Sequence, residues 1–217
     1  MTASDTVVCV HGIWGKGIEM TLMKRRLEND YGFRVLLFSY PSVRGTLDGN
    51  AAKLSRFIAD QRLDSAHLIG HSLGGVIALR MLATSPDTVP GRVVCIGSPL
   101  TGSRPAAILA RKNWAKPIIG RSLPDGVVHT PAGEWASDVC ASREVGIIAG
   151  TVPVGFGRLV TKFDGDNDGS VAVSETRLPG AKDHICLKVS HKSILLSRDV
   201  VDQAAAFLRR GEFLRGP

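Results

Sequence analysis

One stretch of the chain, Leu68–Leu79, constrains the fold more than any other. It reads LIGHSLGGVIAL, so that a short apolar run, a polar His-Ser pair and a long apolar run follow one another directly. The first run suits a buried strand, and the second is apolar almost all round, as in a buried helix. Ser72 therefore lies in a sharp strand-to-helix turn, where Gly70 and Gly74 leave out the Cβ atoms that would crowd the two elements.

Short β-branched or apolar runs alternate with helical patterns along the rest of the chain. This alternation predicts an α/β fold, a mostly parallel sheet of about six strands with helices on both faces. Strands are predicted at Thr6–His11, Arg34–Tyr40, His67–Gly70, Arg92–Gly97, Glu144–Gly150 and Ile185–Ser190. Helices are predicted at Met20–Tyr31, Leu47–Arg62, Leu73–Thr84 and Arg198–Arg210.

The length of 217 residues, 44% of them hydrophobic, suits one domain, which we predict over residues 1–217. Residues 100–140 break the alternation, because they carry four prolines and several glycines. So long a connection inside a compact domain is usually a functional lid or a binding loop. We therefore predict a lid-like insertion there, with one short helix at Pro105–Trp114.

The charge and the cysteines narrow the class of protein. The formal net charge is +7, but the basic residues are scattered and not interleaved with aromatic residues, which argues against a nucleic-acid partner. The chain has no run of 18 apolar residues and no signal-peptide pattern in MTASDTVVCVHG, so no stable membrane insertion is expected. Four widely spaced cysteines, three of them in apolar runs, suit reduced thiols and a cytoplasmic location. The oligomeric state is unknown from the sequence.

The turn at Ser72 has the G-x-S-x-G form of a nucleophile elbow, which lifts a serine hydroxyl above the end of a sheet. It also places the serine at a helix N-terminus, where free backbone N–H groups favour developing negative charge. With VCVHGIWG near the start and VSHKSILLS near the end, the chain resembles the α/β-hydrolases, in particular the small bacterial serine lipases and esterases. Because there is no room for the two strands with which larger members begin, the resemblance implies a minimal α/β-hydrolase fold.

An oxyanion hole needs two backbone N–H donors. One comes from the residue after the nucleophile, Leu73. In the lipases that the chain resembles, the other comes from the residue after the first His-Gly pair, which implies Ile13, with Trp14 as the neighbouring alternative. Trp14 and Leu100 are then candidate substrate contacts in an apolar acyl pocket, against ordinary core packing as the alternative.

Chain order and sheet geometry select the histidine. The family order of serine, acid and histidine leaves His129, His184 and His191. His184 precedes the last predicted strand and His191 follows it, about 23 Å away at about 3.3 Å per residue. Sites in parallel sheets form at the carboxyl ends of the strands, so His191 is the candidate base and His184 is expected at the surface of the far edge. His71, inside the elbow, is expected to support the turn.

The candidate acid lies in the loop KFDGDNDGSVAVSE. In the small lipases the acid precedes the histidine by 23 residues, which here implies Asp168, since 191 − 168 = 23, with Asp166 as the second choice. A rival pattern is the calcium-binding EF-hand loop, D-x-D-x-D-G-x₅-E. A true EF-hand is disfavoured, because only TRL remains before Pro179 for its second helix. No metal site is assigned, and a looser calcium site in this loop stays open as the alternative. The residues of the rival pattern are Asp164, Asp166, Asp168, Gly169 and Glu175.

Together, these residues predict a serine hydrolase that cleaves carboxylic esters through Ser72, His191 and Asp168 and an acyl-enzyme intermediate. The expected substrate is a small-molecule or lipid ester, and neither a metal nor an organic cofactor is required. Two alternatives stay open. One is an acyltransferase or thioesterase that uses the same triad, and the other is a non-catalytic binding protein on the same fold.

Overall fold

The computed structural model describes residues 6–63, 65–88 and 91–215, so the ends of the predicted domain and the first residues of the N-terminal stretch lie outside the described part. A six-stranded sheet runs through the centre in the order β2-β1-β3-β4-β5-β6. All neighbouring strands are parallel, which confirms the predicted fold class. The strands are β1 (Thr6–Val10), β2 (Arg34–Phe38), β3 (His67–His71), β4 (Val93–Ile96), β5 (Val145–Gly150) and β6 (Asp183–Leu187).

Helices cover both faces of this sheet. Val7 and Cys9 of β1 point into a core shared with the first and last helices, whereas Val8 and Val10 point into a core shared with the second and third. This division follows from the alternation of side chains along a strand. The α-helices are α1 (Thr21–Tyr31), α2 (Leu47–Asp60), α3 (Leu73–Thr84), α4 (Arg104–Ala110), α5 (Lys116–Ile119), α6 (Ser122–Pro124), α7 (Ser137–Ser142), α8 (Gly157–Val160), α9 (Val173–Thr176) and α10 (Arg198–Arg210). Turns of 3₁₀ helix lie at Ile18–Met20, Ala132–Glu134 and Ser193–Leu195, and a π-helical turn at Asp125–His129.

The last strand begins earlier than its apolar pattern predicts. Strand β6 pairs with β5 from Asp183 to Leu187, rather than over the predicted Ile185–Ser190. A charged residue is tolerated at the start of the strand because the Asp183 carboxylate accepts the backbone N–H of Phe213 at 2.9 Å and pairs with Arg215. The prediction that His184 precedes this strand is therefore wrong, although the residue does lie towards the amino end of an edge strand, away from the Ser72 end of the sheet. His184 lies within β6, is half-buried, and hydrogen bonds Thr176 Oγ1 at 2.9 Å.

The segment over residues 100–140 is a series of short helical turns. Helix α4 ends at Ala110, so the helix predicted at Pro105–Trp114 is shorter than expected. Leu109, Ala115 and Ile119 form a small apolar cluster of their own within the segment. The lid function of this segment stays a prediction. None of the helices in the described ranges is both long enough and apolar enough to cross a bilayer.

Candidate active site

Ser72 joins the end of β3 to the start of α3 in a strained backbone conformation, with φ 53° and ψ −124°. Such a conformation persists only where the surroundings over-determine it. A Cβ atom on Gly70 would lie 2.3 Å from the Cα of Gly75, and one on Gly74 would lie 2.1 Å from the carbonyl oxygen of Val10. The two glycines that frame the serine are therefore required by close backbone contacts, as the sequence pattern indicates.

The predicted acid and the predicted base are in direct contact. Nδ1 of His191 and Oδ2 of Asp168 are 2.6 Å apart, and the backbone N–H of His191 donates to the carbonyl of Asp168 at 2.8 Å. Asp168 follows β5 and His191 follows β6, so both lie beyond the carboxyl ends of neighbouring strands. A carboxylate at this distance holds the imidazole with Nδ1 as donor and Nε2 as the free acceptor.

The surroundings of Asp168 hold its carboxylate in one orientation. The side chain is 1% exposed. Its Oδ1 atom accepts the backbone N–H groups of Ser170 at 2.8 Å and Val171 at 2.7 Å, which leaves Oδ2 for His191. These contacts hold Asp168 with Oδ2 towards His191.

The end of β4 brings this pair next to the elbow. The backbone N–H of Ser72 donates to the carbonyl of Ile96 at 2.9 Å. The next residue, Gly97, would place a Cβ atom 3.2 Å from Asp168 Oδ2 and 3.4 Å from His191 Nδ1. Ser72 and His191 themselves share no hydrogen bond within the described residues. A nucleophile and its general base often reach hydrogen-bond distance only in the substrate complex.

His71 links the elbow to the loop that carries His191. Burial, more than the nearby His191, lowers the pKa of His71 to about 3, so its imidazole is neutral at ordinary pH. Its Nε2 lies 3.1 Å from the backbone carbonyl of His191, and a carbonyl only accepts, so Nε2 carries the hydrogen. The two rings are 4.9 Å apart at 41°. The expected supporting role of His71 thus extends beyond the turn to the neighbouring loop.

The loop after β1 lies against the serine. A Cβ atom on Gly12 would be 3.0 Å from the Cβ of Ser72, so the backbone passes directly beside the serine side chain. In the described part of the chain, the N–H groups of Ile13 and Leu73 donate to no protein acceptor. Two unused donors on either side of a serine are the elements that an oxyanion hole requires. The structure therefore keeps both of these predicted residues available for that role.

Residues after β2 hold this loop, and the sequence analysis missed them. The Tyr40 hydroxyl donates to the carbonyl of His11 at 2.7 Å, and the two rings stack 4.2 Å apart. The backbone N–H of Trp14 donates to Ser42 Oγ at 3.1 Å. The available signal was position, because Tyr40 and Ser42 follow the carboxyl end of a parallel strand, as Gly97 does.

The two predicted substrate contacts differ in exposure. Trp14 is 51% exposed, has φ 62°, and meets the ring of Phe156 edge-on at 6.0 Å. Its indole Nε1 donates to the carbonyl of Ile118 at 2.8 Å. Leu100 is fully buried within the core on the α2–α3 face, which is the ordinary packing that the sequence analysis kept as the alternative. Its role as a substrate contact stays a prediction.

Two carboxylates of the acidic loop, those of Glu175 and Asp164, contact groups of the protein itself. Glu175 accepts the backbone N–H groups of Arg104 at 2.6 Å and Ala172 at 2.9 Å, while Asp164 pairs with Arg104 at 2.8 Å. Burial raises the pKa of Glu175. After Gly169 the loop enters the four-residue helix α9, which is shorter than the second helix of an EF-hand. Over residues 6–63, 65–88 and 91–215 there is no group of three or more metal-ligating side chains in position for an ion.

Comparison with known proteins relates the chain to one family. The sequence model described as alpha/beta hydrolase family matches residues 7–209. A relative from Pseudomonas sp, named 2-hydroxy-6-oxononadienedioate/2-hydroxy-6-oxononatrienedioate hydrolase, is 32% identical over 113 residues. The match covers 48% of this chain and only 37% of that protein.

Solved structures share the fold along nearly the whole chain. The mature form of the lipase BlEst2 from Bacillus licheniformis has a TM-score of 0.73 and 22% identity, covering 98% of this chain and 94% of that chain. A hydrolase from Oleispira antarctica has a TM-score of 0.70 and 12% identity, covering 96% of this chain and 92% of that chain. At these identities the likeness concerns the fold alone.

Proposed function

The chain belongs to the alpha/beta hydrolase family, and from this premise we propose that it cleaves carboxylic esters, with Ser72 as nucleophile, His191 as general base and Asp168 as the orienting acid. Family membership supports hydrolysis as the class of reaction. The ester as substrate and the three catalytic roles are the proposal.

One observation carries it, the 2.6 Å contact between His191 Nδ1 and Asp168 Oδ2 beside the elbow of Ser72. These two residues stand 23 positions apart on separate loops. The carboxylate would fix the tautomer that leaves Nε2 free to accept a proton, and it would stabilise the imidazolium that results. A buried carboxylate and a histidine in this relation, beyond the carboxyl ends of β5 and β6 and on the same side of the sheet as the strained serine after β3, match what acyl transfer requires.

In the proposed first step, Ser72 Oγ attacks the ester carbonyl and its proton passes to His191 Nε2. The negative charge that develops on the carbonyl oxygen would be held by the N–H groups of Ile13 and Leu73, with the N-terminus of α3 adding to the favourable field. The C–O bond of the ester then breaks, and His191 returns the proton to the leaving alcohol. The product is an acyl group on Ser72.

In the second step, water replaces the alcohol. His191 takes a proton from the water as it attacks the acyl carbon, and the same two N–H groups hold the charge again. The bond to Ser72 Oγ breaks, the serine recovers its proton from His191, and the carboxylic acid leaves. Every proton is returned, so the chain's own residues complete the cycle.

The direct test is hydrolysis of p-nitrophenyl esters from acetate to palmitate by the wild type and by Ser72→Ala. We expect turnover by the wild type and a loss of about 10⁴-fold or more in the variant, because removing a catalytic serine costs this much or more in serine hydrolases. Ser98→Ala is the matched control, since its hydroxyl lies 3.4 Å from the carbonyl of Gly70 and has no catalytic role here. Equal activity in Ser72→Ala and the wild type contradicts the proposal.

A second candidate reaction is favoured by the Pseudomonas relative. The substrate in that protein's name is a diacid with a ketone and no ester, so its hydrolysis breaks a carbon–carbon bond. The identity of 32% over 113 residues makes the same reaction a candidate for this chain. The two reactions are distinguished by incubating the protein with 2-hydroxy-6-oxononadienedioate and measuring the loss of that compound's dienol absorbance. Turnover there without ester hydrolysis favours the second reaction, and failure of both favours a binding protein.

A further inference from the structure

A cleft of about 850 Å³ opens between the loop after β2 and residues 110–129. None of Ser72, Asp168 and His191 lines it. Its volume falls in the range of ligand sites, which are typically concave and partly apolar, with a few polar groups to fix orientation.

The walls of the cleft are held together by hydrogen bonds. The backbone N–H of Arg121 donates to the carbonyl of Val43 at 3.2 Å, and the hydroxyl of Ser122 donates to the carbonyl of Gly45 at 2.7 Å. Buried Asn50 completes the link with an N–H bond to that hydroxyl at 2.8 Å. The wall formed by residues 110–129 is supported by the apolar cluster of Leu109, Ala115 and Ile119, of which Ile119 also lines the cleft. The cleft is therefore formed before any ligand arrives.

The charge on the cleft is one-sided. Arg44, Lys116 and Arg121 line it, and within the described ranges none of the three forms an ion pair. Among the described lining residues the only carboxylate is that of Asp125, which lies 3.6 Å from His129 on the same turn. Three cations against one carboxylate leave the concavity with a net positive charge, which attracts anions.

Part of the lining is apolar. Val43, Pro117, Ile119 and Pro124 supply carbon surface in the same cleft as the cations. A free phosphate ion would leave this surface uncovered. A ligand with an anionic head and an apolar chain would use both parts of the lining, because each satisfies a different physical requirement.

We propose that this cleft binds an anionic amphiphile, with a phosphate or carboxylate head against Arg44, Lys116 and Arg121 and an apolar chain along Val43, Pro117 and Pro124. The site does not depend on the ester hydrolysis proposed above. Both walls also contact Trp14, through Ser42 and through the carbonyl of Ile118. The cleft is thus a neighbour of the loop that carries Ile13.

The test is calorimetric titration of the full chain with monooctyl phosphate below its micelle concentration. Octyl glucoside has the same alkyl chain without the charge, and inorganic phosphate has the charge without the alkyl chain. We expect the wild type to bind monooctyl phosphate and to bind each of the other two about tenfold more weakly or worse, since each lacks one of the two contacts. No binding of monooctyl phosphate, or equal binding of either comparison compound, overturns the proposal.

Variants test the location. Lys116→Ala combined with Arg121→Ala should weaken monooctyl phosphate binding about tenfold or more, because two charge-assisted contacts are lost. Lys53→Ala combined with Arg56→Ala removes the same charge from exposed positions on α2 and should leave the affinity unchanged. Equal losses in the two double variants overturn the site and leave only a general effect of net charge. Arg44→Ala, on the other wall, gives a second reading if the first double variant fails to fold.

Discussion

Asp168 connects three separate contacts through one side chain: two backbone N–H groups on Oδ1 and His191 on Oδ2. Asp168→Asn keeps the shape and the acceptor on Oδ1, but it presents an amide N–H to His191 and so favours the wrong tautomer. We expect kcat for ester hydrolysis to fall about 10⁴-fold with the fold intact, as the same exchange does in serine proteases. Steady-state kinetics and circular dichroism check this.

Asp166→Asn is the matched control, because Asp166 is the second-choice acid and is exposed. Its kcat should stay within about twofold of the wild type, the range expected for an exposed substitution away from the chemistry. A loss in Asp166→Asn as large as that in Asp168→Asn would show that the acid has been assigned to the wrong position.

His71 makes the stability of the protein depend on pH. Its pKa is about 3 in the folded protein, against the ordinary value of 6.5. The unfolded chain therefore binds the proton more readily, and stability is fully present above about pH 6.5 and falls as the pH drops toward 3. At pH 5 the loss from this residue is about 2 kcal/mol.

His71→Gln tests this at the same position, since glutamine keeps an N–H donor and does not titrate. Burial also lowers the pKa of His11 and of His184, so the wild type and the variant will both lose stability in acid. Urea unfolding at pH 7 and pH 5 should show a smaller loss in His71→Gln, by about 2 kcal/mol. Parallel pH profiles for the two proteins contradict the role given to His71.

The candidate catalytic residues were accessible from the sequence because each is tied to a local pattern or a spacing. Ser72 lies in a glycine-framed turn, and Asp168 stands at a fixed interval before His191. Tyr40 and Gly97 could be placed at strand ends, but their contacts with His11 and with Asp168 could not be predicted, because those contacts join segments that are distant in sequence. A local pattern carries no information about which strand ends are neighbours until the strand order is known.

The turn at Ser72 requires α3 to pack closely against β1. Gly74→Ala would put a Cβ atom 2.1 Å from the carbonyl oxygen of Val10, and neither backbone can move without breaking sheet or helix contacts. We expect a loss of about 3 kcal/mol or more in the free energy of unfolding, at the upper end for overpacking. Gly49→Ala is the comparison, because its nearest contact is a side chain, the Thr46 hydroxyl at 2.9 Å, and even loss of this N-cap of α2 costs only about 1 kcal/mol. Equal stabilities of the two variants in urea contradict this explanation.

Helix boundaries were predicted well where the sequence carries a clear start and stop. Helix α3, which is apolar nearly all round, and helix α10, which has Ser197 as its N-cap and Gly211 as its C-cap, begin and end at the predicted residues. Strand β6 was misplaced because it is an edge strand whose start is polar, so its pattern lacks the continuous apolar run of β5. Residues 100–140 gave no periodic signal, since helices of three to seven residues are too short to show one.

At the scale of the whole molecule, the cysteines report on global unfolding. Cys9 and Cys95 are buried, and burial raises the pKa of both thiols, to about 12 for Cys9. Cys186 is exposed and Cys140 is half-buried. A thiol reagent should therefore modify Cys186 first, and Cys9 and Cys95 only when the chain unfolds.

Reaction with a chromogenic disulfide, with and without denaturant, measures these rates. Cys186→Ser should remove the fastest phase and leave the slow phases unchanged. Rapid reaction of all four thiols in the native protein would contradict the two-sided core around the sheet.

The catalytic role of Ser72 is tested by labelling with a fluorophosphonate probe, which bonds to an activated serine oxygen with loss of fluoride. We expect a mass adduct on the peptide that contains Ser72 and none after heat denaturation. Labelling of His191→Ala should be slower by about 100-fold or more, since the general base contributes about 10²–10⁴-fold. An unlabelled Ser72, or equal labelling rates in the wild type and His191→Ala, would contradict it.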